Sequence, residues 1–522
     1  MMKRRKVMSN KFMNGLSATN AFGYTENGAV KRTTSGAALY DMFALGAAYR
    51  SRSEADCILL FKNAYKEDPS YALKCLFYIG DVREGQGERR FFRVCYRWLA
   101  MYDEDAARRN LKHIPEFKRW DDLIKICYNT CLWPEAVAIV RTQLATDVES
   151  LMRGPKEAVS LLAKWMPSEN ASSRETCALA NALRSALGWT HKQYRTILSR
   201  LRERSNVLER LMSAGKWDEI EFDAIPSKAG IKYKNAFARH DIERMKSEKA
   251  VQSYEDFAKD KNATVNAGTL YPYEVVDKAI KTMYRGYYNR NVALDDTDRL
   301  MVNKYWDNLT DYFKDASLDA LAVVDTSASM RRSDAASPIN VAISLGMYCA
   351  ERAKGPYAGH YVAFSRRPRL VKVEGVDFCD KVKRIYDANL CENTNIEATF
   401  DMLLDVARRN GCTQEDLPKN IIVISDMEFD QARGYYRWDN KSETSTLMEN
   451  IEKKWNAYGY QMPKLIFWNV DARSDNFAME VKDGISFVSG CSPVIFKQVM
   501  TGKTAYDLMY EVLNSKRYSV IG

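Results

Sequence analysis

Histidine is scarce: His113, His191, His240 and His360 are the four in 522 residues, and they lie far apart. That scarcity argues against a histidine-built zinc site. No CxxC pair compensates, since Cys127 and Cys131 are the closest of eleven cysteines. Scattered thiols predict reduced, mostly buried side chains and a cytoplasmic location. No apolar run reaches the ~18 residues needed to cross a membrane. The N-terminal MMKRRKVMSNKFMNG is basic but lacks the apolar core of a signal peptide. A phosphate loop is also missing. Gly502-Lys503-Thr504 has no earlier glycine, and no strand precedes the glycines of Asp81–Arg90, so no nucleotide cofactor is expected.

In bulk the chain is ordinary, with 46% hydrophobic and 28% charged residues, as a soluble globular protein requires. At 522 residues it exceeds what one core supports, so more than one domain is expected. The net charge of +10 is unevenly placed. Residues 1–315 carry 52 basic against 41 acidic side chains, and residues 316–522 carry 26 against 27. The excess positive charge therefore precedes the last two hundred residues. A balance this mild permits nucleic acid as a partner without demanding it.

Residues 1–35 read as a basic N-terminal arm, either flexible or a strap packed late. From Gly36 to about Ile280 apolar residues recur three or four apart, as in EADCILLFKNAYKED and ERRFFRVCYRWLAMY. Helices without intervening strand runs predict an irregular HEAT-like solenoid over 36–315. The glycines of DVREGQGERR (Asp81–Arg90) read as a tight turn between helices, with acids and arginines paired around it. Further on, Thr190 is placed to cap a helix whose Tyr194, Ile197, Leu198 and Leu201 share one face. Lys192, Arg195 and Arg202 share another. Such a face is usually just solvated, but cations along one side of a solenoid also suit phosphates. Tyr284, Tyr287 and Tyr288 beside Arg285 and Arg290 read as a contact between domains, or as a base-stacking patch.

Residues 316–522 alternate strands near 318–324, 360–365, 370–374, 420–425, 464–470 and 485–489 with helices, the pattern of a doubly wound α/β sheet. The first strand stops abruptly at Asp325, followed by Ser327 and Ser329. Hard oxygen donors thus sit at the carboxyl edge of the sheet, where open α/β sheets bind ligands. One carboxylate and two neutral hydroxyls suit Mg²⁺ or Mn²⁺. D-x-S-x-S alone arises by chance in roughly one chain in ten of this length. Its company raises its weight: Thr394 in the polar loop CENTNIEATFDMLLD, then Asp426 ending a second buried strand, IIVISD.

That order of motifs resembles the metal-ion-dependent adhesion site (MIDAS) of von Willebrand factor A domains. The resemblance assigns Asp325, Ser327, Ser329, Thr394 and Asp426 to a divalent metal. Ala328 and Asn393 stand where most such sites have glycine. In the first half, DVREGQGERR, Lys164-Trp165-Met166-Pro167-Ser168, the run from Leu187 to Arg195, and Ile225–Ala229 with Asn235-Ala236-Phe237 are similar to the TROVE module of Ro-type ribonucleoproteins. They are closer still to a DUF2828-like family sharing that architecture. The resemblance implies a helical ring that binds non-coding RNA, Y-like or misfolded, and a metal site that captures an acidic side chain of a partner protein.

Histidines are absent from all three loops, and Ser327 has no histidine partner in sequence reach, so no enzyme activity is expected. The leading expectation is a non-catalytic RNA-binding scaffold in which Lys192, Arg195 and Arg202 contact RNA. A metal-dependent protein-interaction platform without RNA is the alternative, and a metal-dependent nuclease or phosphatase is the third.

Overall fold

A computed structural model describes residues 22–155, 157–205, 207–288, 296–313, 319–331, 336–364, 367–388, 395–430, 446–499 and 504–522. Thr394, and residues 1–21 of the basic arm, lie outside them, as do the side chains of the tyrosine-rich segment from Tyr284 to Tyr288.

The described residues open with a short antiparallel hairpin, β1 (Phe22–Tyr24) and β2 (Val30–Arg32). Helices follow: α1 (Ala38–Leu45), α2 (Glu54–Glu67), α3 (Pro69–Gly80) and α4 (Arg89–Tyr102). Local chemistry sets their limits. The Ser53 side chain accepts from Asp56 N to cap α2. Asp68 caps α3, whose first residue is Pro69, so one dipeptide both ends α2 and starts the next helix. Shorter helical turns lead to α5 (Trp120–Cys127), α6 (Trp133–Arg153), α7 (Arg174–Leu187) and α8 (His191–Arg204). Gly188 ends α7 in the left-handed region at φ +75°, and Thr190 with Gln193 closes a capping box on α8. The helical half finishes with α9 (Ser227–Arg244), α10 (Pro272–Tyr288) and α11 (Asp296–Asp307). Helices from 4 to 21 residues, joined by turns and by longer irregular stretches, make this an irregular helical array.

The second half is a six-stranded sheet of β3 (Ala320–Asp325), β4 (His360–Phe364), β5 (Arg369–Lys372), β6 (Asn420–Ser425), β7 (Lys464–Asn469) and β8 (Ile485–Ser489). Their spatial order is β5-β4-β3-β6-β7-β8. All neighbours are parallel except the β4–β5 edge. Strands β3 and β6 sit side by side although β4 and β5 intervene in sequence, so the winding reverses between them. That is the topological switch point of a doubly wound sheet. Helices α12 (Pro338–Arg352), α13 (Phe378–Asp387), α14 (Ile396–Arg409), α15 (Leu447–Ala457) and α16 (Ala505–Leu513) accompany the strands.

Strand parity then sorts the core. Leu321, Val323, Ile421, Val423, Phe467 and Phe487 join one cluster with the buried residues of the helices between Leu39 and Leu201. Their neighbours Ala322, Val324, Ile422, Ile424, Trp468 and Val488 join a second, with residues from Leu208 to Phe313 and with α12 and α13. Successive strand residues point to opposite faces, so each apolar face of the sheet shares its core with a different portion of the helical array.

The Asp81–Arg90 turn is a junction of these parts. Asp81, fully buried, accepts from Arg83 N (3.0 Å), from two guanidinium nitrogens of Arg517 and from the Tyr518 hydroxyl (3.1 Å). Gly87 holds φ +67°, and a side chain there would strike the Tyr271 hydroxyl. Arg89 pairs with Asp121 and Asp122. The turn therefore ties α3 and α4 to the C-terminal tail and to the loop before α10.

Candidate functional site

The buried run of β3 places Asp325 at the carboxyl edge of the sheet, and β6 places Asp426 just past its own end on the adjacent strand. Both are sealed from solvent, at 0% and 1% exposure. Asp325 Oδ1 accepts from Ser327 N at 2.9 Å, and Oδ2 accepts from the Ser425 hydroxyl at 2.5 Å. Ser327 and Ser329 hydroxyls lie 3.0 Å apart, and Ser329 also bonds the Asp426 carboxylate. The structure thus brings Asp325, Ser327, Ser329 and Asp426 together at the switch point. Asp426 in turn accepts from Glu428 N (3.2 Å) and from Arg473 (2.7 Å).

Burial, and next the charge of Asp426, push the Asp325 carboxyl up to about 7. Burial also raises Asp426, with Arg473 opposing the shift. Two carboxylates that disfavour each other's charge in a dry crevice call for a cation. Arg473 meets only Asp426 of the two. No group of three or more His, Cys, Asp or Glu among the described residues is arranged to hold a metal. The donors here are instead two carboxylates and two hydroxyls, an all-oxygen set of the kind Mg²⁺ or Mn²⁺ takes with waters completing the shell. The residues present fit such an ion. Of the histidines, His360 opens β4 at the opposite edge of the sheet and bonds Ala358 O.

Three residues at this rim escape sequence reasoning. Ser425, whose hydroxyl donates to Asp325, shows in the sequence only as the penultimate residue of IIVISD. Glu428, 0% exposed, sits beside Asp426 and pairs with Lys31 of the hairpin. Arg473 follows β7 in a loop, where no spacing flags it.

In the helical half, Lys192 and Arg195 are exposed on α8, Arg195 lying 3.9 Å from Glu169. Arg202 is committed inward: it donates to Ala163 O and Met166 O at 2.8 Å and to the Ser168 hydroxyl at 2.9 Å. It fastens the Lys164–Ser168 turn to α8. Arg195 and Arg202 border a cleft of about 730 Å³, with Lys125, Lys164, Trp165 and Arg210 among the lining residues. The Arg119 guanidinium covers Trp165 at 4.1 Å.

Fold and site define a two-part protein, a helical array joined to a doubly wound α/β domain with an oxygen-donor crevice at its switch point. The chain belongs to the DUF2828 family, a domain of unknown function whose model matches residues 25–131 and 131–318. A second domain of unknown function, DUF7788, matches residues 319–518. Uncharacterized protein L728 of Acanthamoeba polyphaga mimivirus is 30% identical over 510 residues, spanning 92% of this chain and 85% of that protein. Among the described residues no helix is long and apolar enough to cross a membrane.

Proposed function

We propose that the protein is a non-catalytic scaffold of Ro-ribonucleoprotein type. In this reading the α/β half is a von Willebrand factor A-type domain with a metal-ion-dependent adhesion site, and the helical half is a TROVE-like, HEAT-like RNA-binding module. The convergence of Asp325, Asp426, Ser327 and Ser329 at the β3–β6 switch point carries the reading. These residues would hold Mg²⁺ or Mn²⁺, with Thr394 as the further hydroxyl that the resemblance assigns. Two carboxylates balance the ion's charge, and its remaining coordination positions take water or an acidic side chain from a partner protein.

The RNA half of the reading rests on the excess positive charge of residues 1–315, on exposed Lys192 and Arg195, and on the cleft where Lys125, Lys164, Arg195, Arg202 and Arg210 outnumber Asp121, Glu169 and Glu209 beside Trp165. Cations interleaved with aromatic faces suit single-stranded nucleic acid.

Isothermal titration of the full chain with Mn²⁺, natural protein against Asp325→Ala, tests the metal site; equal binding by both would sink it. Extraction and sequencing of nucleic acid from the native complex tests the RNA half. Absence of RNA, together with a protein partner released by EDTA, would leave the interaction platform instead.

A further inference from the structure

The metal reading leaves Arg473 and the N-terminal hairpin unexplained, and they meet at the same carboxylate. One nitrogen of the Arg473 guanidinium donates to Asp426 Oδ2 at 2.7 Å, and another pairs with Glu26 in the turn between β1 and β2. Its buried Nε meets no partner among the described residues. The hairpin is held to the loop that follows Asp426. Thr25 donates its hydroxyl to Phe429 O, Glu26 N donates to Glu428 Oε2, and the Asn27 amide donates to Glu428 O, each at 2.7 Å. Arg32 exchanges backbone bonds with Phe477 in the loop after β7. Met427, between Asp426 and Glu428, is held at φ +65°, a strained conformation for a side-chain-bearing residue. One short loop thus turns Asp426 toward the crevice and Glu428 toward the hairpin.

We propose that Arg473 is the internal counter-cation of Asp426, clamped there by Glu26, and that docking of the N-terminal hairpin and filling of the metal site oppose each other. The inference rests on the metal reading above. A divalent ion at Asp426 and a guanidinium on the same carboxylate repel, so the ion must loosen Arg473 from Asp426. Arg473 then no longer ties the hairpin to the crevice. The coupling is reciprocal: whatever releases the hairpin favours the ion, and the ion favours release.

The test uses the full chain and Mn²⁺ alone. Titration calorimetry compares the natural protein with Arg473→Gln and with Glu26→Gln, the latter at a half-exposed position. Removing the guanidinium should tighten Mn²⁺ binding about tenfold and removing the clamp about threefold. Hydrogen exchange of amides 22–32 should quicken when Mn²⁺ is added. Unchanged or weaker binding by Arg473→Gln, or hairpin exchange indifferent to Mn²⁺, overturns the antagonism while leaving the metal site standing. If neither the natural protein nor Arg473→Gln binds Mn²⁺, the antagonism and the metal site fall together.

Discussion

Arg517, near the end of the chain, places two guanidinium nitrogens on the carboxylate of Asp81, 436 residues earlier. The pair joins the last turn of the α/β half to the first helical turn motif. Asp81→Ala leaves that mostly buried guanidinium with only the longer Glu84 contact at 3.6 Å, and loses the Tyr518 hydroxyl bond as well. The expected cost is about 3–5 kcal/mol, read by urea denaturation.

Lys118 is buried with its ammonium donating to Phe77 O at 2.8 Å and set 4.2 Å over Phe92. Burial pulls it down to about 7, against the opposing pull of Asp81. An amine whose native pKa lies below its unfolded value is penalised while the unfolded chain still holds the proton. Stability from this group therefore rises with pH between about 7 and 10.5. Lys118→Met removes that slope. Relative to the natural protein, the advantage of the variant should shrink by roughly 2–4 kcal/mol between pH 7 and pH 10.

Asp325 carries the opposite sign. Its carboxyl is raised from 3.8 to about 7, so the stability it contributes is complete below 3.8 and lost as pH rises through 7. In EDTA, Asp325→Asn should flatten that loss and leave the variant more stable by roughly 2 kcal/mol at pH 8. Ion binding needs the carboxylate, so Mn²⁺ affinity of the natural protein should climb by up to about tenfold per pH unit below 7. Denaturant curves and calorimetry across pH 5 to 8 check both.

On α8 the three cations separate by role. Lys192→Glu with Arg195→Glu should weaken binding to single-stranded RNA and flatten its salt dependence without lowering Tm, as measured by filter binding at several salt concentrations. Arg202→Ala should instead destabilise the fold by about 2 kcal/mol, because two carbonyls and a hydroxyl lose their donor.

Strand parity and helical spacing are local properties, and they made the second half legible almost to the residue. The run ending in Asp325 and the run ending in Asp426 are strands because both faces are buried, and their polar ends follow from the edge of the sheet. Thr190 marked a helix start through chemistry confined to one turn. The division of the helical array between the two faces of the sheet had no such local signal. It depends on packing between residues hundreds apart.

What the chain by itself determined, then, was where helices and strands form and which oxygen-bearing side chains end the central strands, since those depend on neighbours in sequence. What only the tertiary structure decided was the company those side chains keep: Ser425 beside Asp325, Arg473 and Glu26 at Asp426, and Arg202 turned inward. Long flexible side chains take whichever partner the packed fold presents, and spacing along the chain carries no record of that choice.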